Sequence, residues 1–297
     1  MRKLGVILAT VVITIGTFIG CENKNLTEVE GYFWKATKEG KEIYLGGTMH
    51  PSPIEVNYLN EKFNNIINNT DAIAVEIDIS DNEKIKLIQE KSSKLLYQEE
   101  YRLEKELKRK ELEKLKQIYK DLGIDYKTTT GLTPYGVQMF IENAIMQKIN
   151  FSGESCDSIW AKEYKAKKKI VSELESVDFQ ISLIEKTYTL ERLKDLLNKE
   201  ENNNILESSS KVIKELFNAF KDGDLIYPKE HLEKIKSEDE DNYNRLIVER
   251  NKKITNDIEK YIESDKKYFV TAGYLHFIGD DSILEVLRNK GYQIGKL

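Results

Sequence analysis

Three histidines occur in the 297 residues, and two of them close the same pattern: Gly47-Thr48-Met49-His50 and Gly273-Tyr274-Leu275-His276. With 16 glycines in the chain, Gly three places before two of three histidines arises by chance on the order of 1% of the time. A neutral imidazole binds a metal, moves a proton or makes an ordinary hydrogen bond. For a single GxxH the ordinary bond is the better reading; the matched pair favours a shared site. His231, in Pro228-Lys229-Glu230-His231, lacks the context and reads as surface.

The contexts match too. Ile43-Tyr44-Leu45 precedes one motif and Tyr268-Phe269-Val270 the other, and a helix follows each after a short turn. Both histidines thus sit where a strand hands over to a helix, the edge at which open α/β sheets bind ligands. The glycines let the backbone turn and leave space beside the ring. Two such units suggest an internal duplication whose imidazoles converge on one crevice. The strand-like segment Asp71 to Ile79 supplies an acid: Ile73, Val75, Ile77 and Ile79 share one face, Ala72, Ala74, Glu76 and Asp78 the other. Under helices that second face is buried, and a buried carboxylate needs a cation, a donor or a proton. On a half-exposed sheet it is simply wet. His50, His276 and Glu76 form an N,N,O set that suits Zn, Mn or Co, with positions left for water and substrate.

The elements that must position these groups alternate. A hairpin is expected over 31–45, a helix after Pro53, a strand over 71–79 and helical spacing through 82–121. Helices follow near 132–144, 157–168, 178–198, 240–263 and 281–289, with strands at 169–175 and 268–272 and a last extended segment at 291–294. Residues 199–210 read as a loop. This order implies an α/β fold with a mixed central sheet flanked by helices.

The N-terminus is an address. Met1-Arg2-Lys3 precedes an apolar run from Leu4 to Gly20 that stops at Cys21-Glu22-Asn23-Lys24, the layout of a secretory signal over 1–20. An uncleaved membrane anchor is the alternative. Gly20-Cys21 is similar to the lipobox of bacterial lipoproteins, in which the signal is cut before the Cys and the sulfur carries lipid. Either way the body lies on the extracytoplasmic side of the cell membrane, held there by a lipid anchor on Cys21 or by the apolar run, with 21–30 as a polar stalk. If Cys21 carries lipid, Cys156 has no disulfide partner; it reads as a buried thiol, with a nucleophile as the alternative. The chain carries 46 basic and 51 acidic side chains; without Arg2 and Lys3 the balance is 44 to 51, or −7. That excess excludes nucleic-acid binding by bulk charge.

Leu45-Gly46-Gly47-Thr48-Met49-His50, Val75-Glu76-Ile77-Asp78, Arg250-Asn251 and Ala272 through Gly279 together resemble the TraB/GumN family (TraB/PrgY/GumN/Tiki). Leu132 to Tyr135, Gly153 to Asp157, and Leu174-Glu175 followed by Gln180 fit it as well, so the resemblance spans about 31–297. Phe277 stands where Leu is common, and Asp280-Asp281 replace a more Gly-rich continuation. The resemblance implies two related halves, each with a strand–GxxH–helix unit, and a site gathering both histidines, an acid and an arginine. It also implies metal-dependent peptide cleavage of the Tiki type. His50 and His276 become metal ligands, and Glu76 a ligand or general base. Arg250 orients or neutralises the oxyanion, or pairs ordinarily with a neighbour such as Glu249. Glu175 is a base, an outer partner of an imidazole, or simply structural. The substrate class is an extracellular peptide or protein. A non-catalytic surface protein that sequesters a peptide or pheromone is the rival, and haem held by the paired imidazoles a third reading.

Overall fold

A computed structural model describes residues 26–199 and 204–297. The leader expected over 1–20 and the lipidation expected at Cys21 lie outside the described residues. The chain opens with β1 (Thr27–Glu28), the hairpin β2 (Tyr32–Lys38) and β3 (Lys41–Thr48), and β4 (Val56–Asn57). The hairpin falls where the sequence placed it: Glu39 and Gly40 take φ of 51° and 80°, the left-handed pair a two-residue turn requires. The described end of the expected stalk over 21–30 is structured. β1 pairs in parallel with β4, and Val29 is buried in the core, so the polar lead-in is built into the body from Thr27 onward.

Helix α1 (Glu61–Asn69), capped by the Asn60 side chain, leads into β5 (Ala72–Val75). The strand expected over 71–79 thus stops at Val75. Ile77 leaves the sheet to join Ile88 and Val177 in a satellite cluster, so its alternating position reflects different burial from that of Ile73 and Val75. The Glu- and Lys-rich stretch divides into α2 (Asn82–Leu96) and α3 (Arg109–Leu122), and is followed by α4 (Pro134–Lys148) and α5 (Cys156–Ala166). After β6 (Ile170–Glu173) come α6 (Val177–Thr187), α7 (Leu190–Asn198), α8 (Ile205–Asp222) and α9 (Ile226–Glu238). The loop read over 199–210 is helical from Ile205 on. His231 on α9 is half-buried beside the Tyr227 ring at 6.4 Å, not a surface group. The long helix expected over 240–263 is α10 (Glu240–Tyr243), a π-turn over Asn244–Val248, and α11 (Glu249–Ile262). The chain ends with β7 (Tyr268–Gly273), α12 (Ile283–Asn289) and β8 (Gln293–Lys296).

Six strands form one mixed sheet in the order β6-β5-β7-β3-β2-β8. β6, β5, β7 and β3 run parallel; β2 is antiparallel to β3 and to β8. All four residues of β5 are fully buried, as expected of a parallel strand covered on both sides. Alternation along β2 fills both layers. Phe33 meets Trp160 and Phe269 on one face, while Tyr32 and Trp34 meet Phe220, Tyr274 and Phe277 on the other.

Away from the sheet, α4, α7 and α8 enclose a small cavity lined by Ile141, Ile145, Leu196 and Ile213, with Glu142 at its wall. Burial pushes the Glu142 carboxyl up to about 8, against weaker opposing pulls from the Tyr188 hydroxyl and Arg192. The folded chain therefore keeps a proton that the unfolded chain releases above its ordinary value, and stability declines as pH rises from 4.5 toward 8. Glu142→Gln is expected to flatten that slope in urea titrations run at several pH values. At pH 8 it should add roughly 1–3 kcal/mol, after allowance for partial solvent contact.

Candidate functional site

The four parallel strands all end at one edge, and each hands over a polar residue there. β3 and β7 are neighbours, so Gly47 lies opposite Ala272 and Thr48 opposite Gly273. The two motifs are thus side by side, at the carboxyl edge the sequence indicated. Gly47 acts differently from expectation. Gly47 lies within β3, and a Cβ there would sit 2.6 Å from the Tyr274 Cβ and 2.9 Å from its Cα. Its bareness admits the second motif rather than a turn. Gly46 does the same on the other face, where a Cβ would meet the Phe269 ring at 2.4 Å.

Beyond β5, Glu76 turns toward this edge with its side chain 21% exposed. Beyond β6, Glu175 is fully buried, and its N–H donates to the Glu76 carbonyl at 3.0 Å. Arg250 spans both acids. Its Nε donates to Glu175 Oε1 at 2.8 Å, and the same Nη2 reaches Glu175 Oε2 at 3.0 Å and Glu76 Oε2 at 2.6 Å. Gln180 Nε2 donates to the remaining face of Glu175 at 3.1 Å. Two buried carboxylates against one guanidinium leave a net negative charge, which an imidazolium or an added cation would offset. The Glu76 carboxyl is pushed up by burial, but Arg250, His276, the Gly273 N–H and His50 outweigh that and hold it well below the usual carboxylate range. The same acids raise Arg250 despite its burial, fixing it as a cation.

His276 lies on a 3-10 turn, Tyr274–Phe277, directly after β7 and is buried. Its Nδ1 is 2.6 Å from Asn251 Oδ1. Asn251 Nδ2 donates to the Asp281 carbonyl at 2.7 Å, which fixes the amide so that its oxygen faces the ring. An oxygen acceptor at Nδ1 means that Nδ1 carries the hydrogen and Nε2 the lone pair. That lone pair is 3.9 Å from Glu76 Oε1, which itself accepts from the Gly273 N–H at 2.7 Å. Burial and nearby Arg250 push the imidazole down to about 3 despite Glu76, which keeps it neutral.

His50 follows β3 and is 20% exposed. Its Nε2 lies 2.6 Å from Asp157 Oδ1 on the first turn of α5. Burial pushes this imidazole down, but Asp157 and then Glu76 raise it above its ordinary value, so it favours the cation. The two histidines are thus driven to opposite charge states, and both lie within electrostatic reach of Glu76. Cys156, next to Asp157, is buried, and burial pushes its thiol well up, so it is an inert thiol and not a nucleophile.

The donor chemistry fits a divalent ion in part. His276 Nε2 and Glu76 Oε1 are facing acceptors with no proton between them, the arrangement a cation resolves. The third expected ligand, His50, spends Nε2 on Asp157. Among the described residues no three His, Cys, Asp or Glu side chains converge as a metal-binding group.

Residues 32–296 match the TraB/PrgY/gumN family. The chain belongs to that family. Neither a curated protein nor a solved structure matches it significantly. Within this TraB/PrgY/gumN domain the structure joins Glu76, Glu175, Arg250 and His276 in one network, with His50 held beside it by Asp157. Asp157 and Asn251 received no role from the sequence, although both lie in segments that resembled the family. A signal existed for Asn251. With Arg250 it falls on the stripe Leu246, Ile247, Ile254, Ile258 and Ile262, where a polar residue must find a buried partner. The π-turn just before them lets adjacent polar residues share that stripe, a distortion frequent at functional sites.

Proposed function

We propose that this chain is a membrane-tethered, extracytoplasmic hydrolase that cleaves peptide bonds with a divalent metal (Zn, Mn or Co). The observation that carries the reading is the His276 Nε2 lone pair held toward Glu76 Oε1 by an Asn251-fixed tautomer. At 3.9 Å, too far for a hydrogen bond between them, the two acceptors stand where ligands of one ion would stand. A bound ion would lower the pKa of a coordinated water and polarise a carbonyl.

The chain's own residues then have distinct duties. His276 and Glu76 would hold the ion, and His50 would join them if it turned from Asp157. Glu76, ionised at neutral pH, would serve as a ligand rather than as base, since Oε1 accepts from the Gly273 N–H and Oε2 from Arg250. Glu175, with both oxygens spent on Arg250, anchors that arginine rather than serving as base. Arg250 spends Nε and Nη2 on the acids and keeps Nη1 for a carbonyl oxygen. We read the matched motifs as the trace of a duplicated strand–GxxH–helix unit, a reading supported by their adjacent strands.

The rival is a non-catalytic peptide- or pheromone-sequestering protein, and the engagement of His50 with Asp157 favours it. Metal analysis and peptide cleavage separate the two. The hydrolase reading expects about one divalent ion per chain, and cleavage lost at least 100-fold in His276→Ala and Glu76→Gln. Peptide binding that survives both substitutions, in protein free of metal, selects the sequestering reading.

A further inference from the structure

Large apolar side chains exposed on this molecule are not scattered. Eight occur among the described residues, and five of them surround the point where the N-terminal segment enters the body: Leu26, Ile54, Leu225, Ile226 and Leu297. Ile54 and Ile226 are the most exposed, at 60% and 69%. Backbone hydrogen bonds tie them to that point. The Thr27 N–H donates to the Glu55 carbonyl at 2.9 Å, which sets Leu26 beside Ile54. The Glu30 and Gly31 N–H groups donate to the carbonyls of Lys221 and Phe220, which brings up the turn leading to Leu225 and Ile226. The Leu297 N–H donates to the Phe33 carbonyl at 2.9 Å on the far side of β2.

The same point lies at the catalytic edge of the sheet. β2 is antiparallel to β3, so its first residue, Tyr32, is the register partner of Gly47 in the first GxxH motif. The Tyr32 ring also stacks on Tyr274 of the second motif at 5.2 Å. The N-terminal connection therefore leaves from the edge that carries His50, His276 and Glu76, and Ile54 stands in the loop directly after His50. Only four residues separate Cys21 from Leu26, five steps along the chain and a reach of at most about 18 Å.

We propose that this apolar collar rests on the lipid bilayer, so that the site edge faces the membrane and takes membrane-proximal segments of polypeptide. The proposal rests on the tether, whether a lipid on Cys21 or the apolar run before it, and not on a bound metal. Lysines near the collar do not make it a headgroup site: Lys62 pairs with Glu30, Lys221 with Asp222, and Lys296 Nζ donates to the Gly223 carbonyl. The contact is apolar, as in interfacial anchoring through side chains buried a few ångströms deep.

The test uses the full chain, expressed so that its leader is processed, purified and reconstituted in phosphatidylcholine vesicles. Single cysteines carrying a polarity-sensitive fluorophore replace Ile54, Ile226 or, as a control on α2, Leu87. Acyl-brominated lipid is expected to quench the labels at 54 and 226 at least twofold and the label at 87 not at all. Equal quenching at all three sites, or none in vesicle-bound protein, overturns the orientation while leaving the tether intact. Crosslinking between copies through 54 and 226 overturns it in favour of a dimer face. Protein that does not sediment with vesicles overturns it through failure of the tether itself.

Discussion

Arg250→Ala is expected to cost about 3–5 kcal/mol of folding stability, because it strips the cation from two acids in a water-poor site. Glu175 is fully buried and Glu76 mostly so, and among the described residues Arg250 is the cation that pairs with both, the imidazole 3.9 Å from Glu76 being neutral. The loss follows from uncompensated charge, not from the strength of the ion pairs. Hence Arg250→Met combined with Glu175→Gln should recover part of it. Arg250→Lys should fall between, since an ammonium cannot reproduce the Nε–Nη2 fork on Glu175. Urea unfolding monitored by tryptophan fluorescence measures all three, with Trp34 and Trp160 as buried reporters. Arg250→Ala as stable as the wild type would mean that the carboxylates are not held as charged groups by this side chain.

Asn251→Leu should have the next largest effect, on stability and function together. It leaves the His276 Nδ1–H and the Asp281 carbonyl without partners, at about 1–3 kcal/mol each. It also frees the ring to take the other tautomer, which should lower metal affinity and peptide cleavage about 10–100-fold. Asn251→Asp separates the two consequences. It keeps an acceptor for Nδ1–H, so cleavage should exceed that of Asn251→Leu, while the lost donor to Asp281 still lowers stability. Calorimetric metal titration and denaturation on the two variants give both quantities. If the variants do not differ in function, Asn251 does not act through the tautomer.

How far the sequence carries depends on the range of the interaction. The hairpin was legible because its turn chemistry is local: Glu39-Gly40 sits between two apolar alternations. The edge bearing both GxxH motifs was legible because strand-to-helix transitions place it wherever strands run parallel. The end of β5 was not. Ile77 continues the alternation of Ile73 and Val75, yet it packs in another cluster, and period alone does not distinguish the two cores. The packing of residues 27–29 was not legible because one apolar residue, Val29, in a polar run gives little signal until β4 is there to pair with its neighbours. Arg250 was singled out through resemblance, but its partners lie 75 and 174 positions away, beyond any local pattern. A long separation in sequence also hid the pairing of His50 with Asp157, which gives the two histidines opposite charge preferences.

The ring nitrogens of His276 offer the most direct measurement. In metal-free protein with 15N-labelled histidine at neutral pH, multiple-bond proton–nitrogen spectra assign the hydrogen to Nδ1 or Nε2. The expected result is a neutral imidazole with a protonated, pyrrole-like Nδ1 and a bare, pyridine-like Nε2 that shifts when a divalent ion is added. A hydrogen on Nε2, or an imidazolium at that pH, would contradict the geometry from which the hydrolytic reading is built.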